Sequence, residues 1–151
     1  IPPQPAIPDS LPSRGLGDVY KRQFMNCLTT WGFKKIVMAV DIWKNNLRIN
    51  GWKYQTKIDP LDHIKYFYNK GLKNIKVTDI SKDGSLDGPP FTLYKKILKK
   101  YPHVNMITGG GIRNMNDIEK LEKVGVKNII FGRAFYDGNI SLDDLKNFYK
   151  R

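Results

Sequence analysis

Four short apolar runs in this chain each end in residues able to do chemistry. Residues 36–40 lead into Asp41. Residues 75–77 lead into Thr78-Asp79 and on to Ser81-Lys82-Asp83-Gly84. Residues 104–107 lead into Thr108-Gly109-Gly110-Gly111, and residues 129–131 into Gly132-Arg133. Asp41, a carboxylate closing an apolar strand, is a candidate proton donor, although a helix cap or a loop ion pair uses the same residue type. Thr78 can orient a ligand hydroxyl or simply cap its loop. Asp79, Asp83 and Asp87 crowd that loop, and Asp83-Gly84 also reads as plain turn chemistry. Gly109, Gly110 and Gly111 have no side chains to keep a phosphate from their N–H groups, and Gly132 and Arg133 add further amides and a cation. The competing reading of the glycines is a tight turn that needs positive φ. Trp52 follows an Asn50-Gly51 turn signal in the long loop after Asp41. It either covers a flat ligand or packs as a small satellite cluster.

Residues of this kind meet only if the elements beneath them bring the run ends to one face. A weak repeat predicts that they do: Gly32-Phe33-Lys34-Lys35-Ile36, Gly71-Leu72-Lys73-Asn74-Ile75 and Gly125-Val126-Lys127-Asn128-Ile129 each place a glycine where a helix should stop, then a polar step into a strand. The runs are short, β-branched and nearly continuous, as expected of strands buried on both faces. Helical patterns lie between them. Asp59-Pro60 opens one bearing Leu61, Ile64 and Phe67, a second carries Leu93, Ile97 and Leu98, Asn116 with Glu119 resembles a capping box, and Ser141 opens a last helix. Alternating strands and helices predict an α/β fold with a parallel sheet and right-handed crossovers. Four βα units fit either a small doubly wound sheet or half of a (β/α)8 barrel, with the functional groups at the strand ends in both.

Composition narrows the function classes. The 151 residues are 40% hydrophobic and 26% charged, as in globular proteins. No apolar run approaches the roughly 20 residues of a bilayer-spanning helix, so no membrane role is expected. The single cysteine, Cys27, excludes an internal disulfide and a multi-cysteine metal site, and with only His63 and His103 besides, no metal is expected. The formal charge of +12 favours anionic partners, a phosphorylated metabolite or nucleic acid. The basic residues are spread along the chain instead of forming a footprint, which argues against nucleic acid and leaves the composition of an AT-rich coding sequence as an alternative source of the charge. Residues 1–23 stand apart. Five of the nine prolines fall within the first twelve positions, no helix or strand period is visible, and the segment reads as a disordered, adapter-like or vector-like extension to a domain spanning 24–151, the alternative being a native Pro-rich linker.

The motifs G-L-K-N-I-K-V-T-D-I-S-K-D-G-S-L-D-G-P (71–89), T-G-G-G-I (108–112) and G-V-K-N-I-I-F-G-R-A-F-Y-D-G (125–138), with A-V-D (39–41) and N-G-W (50–52), resemble the phosphoribosylformimino-5-aminoimidazole carboxamide ribotide isomerases of histidine biosynthesis. The resemblance is collinear over about 24–151 and corresponds to strands five to eight of a TIM barrel, its C-terminal half. It implies a cytoplasmic, cofactor-free aldose–ketose isomerase acting on a bis-phosphorylated ribotide by an Amadori rearrangement. Asp41 would be the proton donor, Thr78 and Asp83 polar groups around the reacting sugar, Gly109–Gly110–Gly111 with Gly132 and Arg133 a phosphate cup, and Trp52 a cover. The family's other carboxylate ends the first barrel strand, which has no match in this chain, so a poorly active half-barrel able to self-associate through its open edges is expected. The related imidazole glycerol phosphate synthase cyclase shares the phosphate loops, but its sixth-strand motif differs from Thr78-Asp79-Ile80-Ser81-Lys82-Asp83-Gly84. The remaining alternative is a non-catalytic phosphate-binding half-barrel.

Overall fold

The computed structural model describes residues 13–150, and the chain divides into two compact units between Ile36 and Val37. The first contains helix α1 (Ser13–Trp31), closed by Gly32, which has φ +86° and donates its N–H to the Leu28 carbonyl at 3.0 Å. This corrects the expectation of a disordered extension over 1–23: residues 13–23 are helical, and 1–12 lie outside the described residues. The physical reason is the spacing of prolines. After Pro12 the next is Pro60, so nothing removes an N–H donor from the helical ladder, and a proline immediately before the first helical turn is tolerated.

The second unit is a six-stranded sheet in the order β3-β2-β1-β4-β5-β6. The strands are β1 (Val37–Trp43), β2 (Asn46–Ile49), β3 (Tyr54–Gln55), β4 (Asn74–Asp79), β5 (Asn105–Gly109) and β6 (Asn128–Ile130). β1, β4, β5 and β6 are parallel, as the strand–helix alternation predicts, and β2 and β3 add an antiparallel hairpin extension at one side. Helices α2 (Pro60–Tyr68), α3 (Phe91–Lys100) and α4 (Met115–Val124) provide the crossovers. α2 starts as expected, with the Asp59 carboxylate accepting from the N–H groups of Leu61 and Asp62 and Pro60 in the first turn. α4 starts two residues earlier than the capping-box reading: Asn114, not Asn116, is the cap, and Gly125 closes the helix at φ +100°. A four-residue helix α5 (Arg133–Tyr136), which the sequence pattern had not suggested, precedes α6 (Leu142–Tyr149), whose Ser141–Asp144 capping box forms in full.

The sheet is not buried on both faces as the apolar runs suggested. Along β1, burial alternates: Met38, Val40 and Ile42 are covered, while Val37 is 45% exposed and Asp41 half-buried. Ile75, Val77 and Met106 continue the covered face, together with Ile64, Phe67, Tyr94, Ile97 and Leu121 from the helices. The other face carries Val37, Ala39 and Asp41 on β1, and Asn74, Lys76 and Thr78 on β4. β5 contributes Asn105, Ile107 and Gly109, and β6 contributes Asn128 and the 52% exposed Ile130. At its foot three side-chain amides form a ladder: Asn105 Nδ2 donates to Asn74 Oδ1 at 3.1 Å, and Asn128 Nδ2 to Asn105 Oδ1 at 2.8 Å.

Candidate active site

The strand register brings the expected groups into one row. Asp41 is opposite Thr78, Thr78 opposite Gly109, and Gly109 opposite Ile130. Neighbouring strands lie about 4.8 Å apart, so the Asp41 and Gly109 backbones are separated by roughly 10 Å across the sheet. β1 does not end at Asp41, as its apolar run implied, but continues to Trp43 and turns through Lys44 and Asn45, both at positive φ, into β2. The following turn brings Trp52 back over β1, and its indole Nε1 donates to Asp41 Oδ2 at 2.9 Å. Trp52 itself is at φ 69°, a sparsely populated conformation for an aromatic residue. Its carbonyl is held by Arg48 Nη1 at 3.0 Å.

Beside this pair lies a cleft of about 250 Å³. Its wall includes Thr78, Asp83, the glycines 109 to 111, Gly132 and Arg133, so seven of the expected residues line one space, with Thr78 between them and Asp41. Asp41 and Trp52 stand one strand away and do not line it. Lys76 does, and sequence reasoning had passed it over. The signal was its position two residues before Thr78 on a strand, which puts both on one face. Thr78 is 4% exposed and its Oγ1 has no hydrogen-bond partner.

The three loops of the cleft are tied to one another, which changes the part the glycines play. Gly110 and Gly111 have φ of +92° and +76°. A Cβ on Gly110 would meet the Asp83 backbone at 3.3 Å, and one on Gly111 would meet the Gly88 carbonyl oxygen at 2.7 Å. Their lack of side chains is therefore used first by loop against loop. The Gly88 N–H donates to the Gly111 carbonyl at 2.8 Å. Arg133 also braces: Nη1 donates to the Gly84 carbonyl at 2.7 Å while Nε pairs with Asp137 at 3.0 Å. From the covered face, the buried Tyr94 hydroxyl donates to the Gly109 carbonyl at 3.3 Å. Burial, with the nearby Asp79 charge, raises the Tyr94 pKa, so this donor stays protonated. Asp79 caps the 3-10 turn Ile80–Lys82 by accepting from the Ser81 N–H and hydroxyl. Among the described residues, no three His, Cys, Asp or Glu side chains gather as metal ligands, and no helix is long and apolar enough to cross a membrane.

A family model described as "Histidine biosynthesis protein" matches residues 19–141. The chain belongs to that family. Curated relatives carry names that agree with the histidine biosynthesis assignment. A protein of Bacteroides thetaiotaomicron is 38% identical over 125 residues, covering 83% of this chain and 52% of the relative. It is named 1-(5-phosphoribosyl)-5-((5-phosphoribosylamino)methylideneamino) imidazole-4-carboxamide isomerase. Proteins with the same name from Buchnera aphidicola subsp. Cinara cedri and Flavobacterium johnsoniae are 39% and 35% identical, covering 82% and 83% of this chain and 52% of each relative. The chain thus spans about half the length of the curated relatives it matches.

Proposed function

We propose that this chain carries the C-terminal half-barrel of an imidazole-carboxamide ribotide isomerase, with residues 24–151 as its domain and residues 1–23 outside it. The proposed substrate is a ribotide with a phosphate at each end, and no cofactor is invoked. Asp41 protonates the ring oxygen of the aminoaldose, opening it to a Schiff base. A base then takes the C2 proton, and the resulting enolamine tautomerises to the aminoketose. Thr78 and Asp83 contact the sugar hydroxyls. The N–H groups of residues 109–111 and Gly132 hold one phosphate, with Arg133 adding charge as it braces the neighbouring loop. Trp52 keeps Asp41 aligned until a ligand displaces the indole and takes its place under it.

One observation carries this reading: an acid, a hydroxyl and a bare glycine turn occupy one register row on three adjacent parallel strands. The names of the relatives, about half of whose length this chain spans, supply the reaction class. The uncovered sheet face supports the half-barrel, since the apolar Val37, Ile107 and Ile130 lie where a complementary half or a second copy would cover them. With one of two cooperating carboxylates assigned, turnover by this chain alone should fall several orders of magnitude below that of the full-length relatives.

The test is conversion of the ribotide by the purified chain, followed by 31P NMR, with Asp41→Asn alongside. Weak turnover that Asp41→Asn abolishes, with phosphate binding retained, supports the isomerase. Turnover indifferent to Asp41→Asn overturns Asp41 as the acid. Phosphate binding with no turnover in either protein favours the second reading, a phosphate-binding half-barrel, to which the separation of Asp41 from the cleft wall lends weight.

A further inference from the structure

Asp117 is a fully buried acid, 0% exposed, that the proposed chemistry does not use. Every strong contact it makes on its carboxylate comes from one residue. Arg113 donates its backbone N–H and Nε to Oδ2, at 3.0 and 2.9 Å, and its Nη2 to Oδ1 at 2.7 Å. Burial pushes the Asp117 carboxyl up, but the hydrogen bonds and charge of Arg113 outweigh it and hold the group below its ordinary value. A bidentate fork of this kind fixes direction as well as distance, because the guanidinium is planar.

What the fork meets next gives the pair a role. Gly88 rests against the guanidinium so closely that a Cβ there would lie 3.1 Å from Arg113 Cζ. Gly88 in turn donates to the Gly111 carbonyl. The contacts therefore run from a buried anion through a planar cation to a side-chain-free backbone, and from there to the glycine turn. An ordinary i,i+4 pair on a helix surface is worth a few tenths of a kcal/mol and has no reason to bury its acid or to demand a glycine on its far side.

We propose that Arg113 and Asp117 are positioning residues that press the Gly88 backbone onto the Gly111 turn and so set the spacing of the phosphate-binding amides. This rests on the phosphate reading of residues 109–111 and extends it to a specific mechanical support. Neither residue touches the phosphate. Arg113 acts through its shape, held by Asp117, and its charge alone is insufficient.

The experiment titrates inorganic phosphate into the whole chain and follows the amide cross-peaks of Gly110 and Gly111 by 1H–15N NMR, for wild type, Arg113→Met and Arg113→Lys. Wild type should show saturable shifts at both glycines. Outer groups that orient metal ligands change metal affinity about tenfold or more, and by that analogy Arg113→Met should weaken phosphate by about tenfold. Arg113→Lys keeps the charge and loses the fork, so it should remain roughly as weak as Arg113→Met. If Arg113→Met does not fold, Arg113→Lys decides. Wild-type affinity in Arg113→Lys would mean that charge alone matters and overturns the proposal while leaving the phosphate reading intact. Absence of any phosphate response at Gly110 and Gly111 in wild type overturns both together.

Discussion

Thr78→Val should make the protein more stable and less able to handle its ligand. The Thr78 side chain is 4% exposed, and its Oγ1 is out of contact with solvent and bonded to nothing. A buried hydroxyl without a partner costs on the order of 1–3 kcal/mol relative to an apolar group of the same shape. Valine replaces it by a methyl of nearly equal size and suits the central strand at least as well. Taking the lower end of that cost, Thr78→Val should raise unfolding stability by about 1 kcal/mol. For a chain of this length that corresponds to roughly 2–4 °C in Tm. Urea unfolding measures it: the midpoint should move up while the slope against urea stays constant, since the surface exposed on unfolding is unchanged. A hydroxyl retained at such a cost implies a use, and rotation about χ1 is what would turn Oγ1 toward the cleft. The same variant should therefore lose ribotide affinity. An unfolding free energy that falls by more than about 1 kcal/mol would mean the hydroxyl has a native partner, and the argument from its isolation would be wrong.

Gly111→Ala should unfold the cleft, because its Cβ would sit 2.7 Å from the Gly88 carbonyl oxygen at a φ of +76°. A loss of roughly 2 kcal/mol or more is expected in urea unfolding, together with loss of phosphate binding. Tyr94→Phe removes only the hydroxyl that donates to the Gly109 carbonyl, and should cost about 1 kcal/mol by the same measurement. The pH dependence of stability should carry the mark of Asp117. Its pKa is lowered in the folded state, so its contribution is present above the ordinary value of 3.8 and is lost as the pH falls through the lower folded value. Acid unfolding profiles of wild type and Asp117→Asn should differ in slope below about pH 4 and run parallel above about pH 5.

The parallel strands, their helices and the residues at their tips were legible because apolar period and glycine punctuation are local signals. Asp59-Pro60 and Ser141 announced their helices through cap chemistry written within four residues. What was not legible depended on distant partners. The runs at residues 36–40 and 129–131 look like strands covered on both faces, yet Val37 and Ile130 are exposed, because covering a strand is a property of its neighbours and not of its own composition. The triple glycine was legible as a turn or as a phosphate contact, but its use as a seat for residues 82–83 and Gly88 needs the third dimension. Nothing in the local sequence marks Arg113 and Asp117, which flank the Asn114 cap of α4. Only the burial of Asp117, its fork with Arg113 and the glycine across from that fork set them apart.

The amide ladder of Asn74, Asn105 and Asn128 lies far from the rim, yet it governs what happens there. Parallel strands can slide past one another, and a shift of a single residue turns every side chain to the opposite side. Here such a slide would pull apart linked carboxamides and, at the other end, point Thr78 away from Asp41. Three linked asparagines thus act as a zero mark for the sheet, so that the alignment of the chemistry at one end is calibrated at the other.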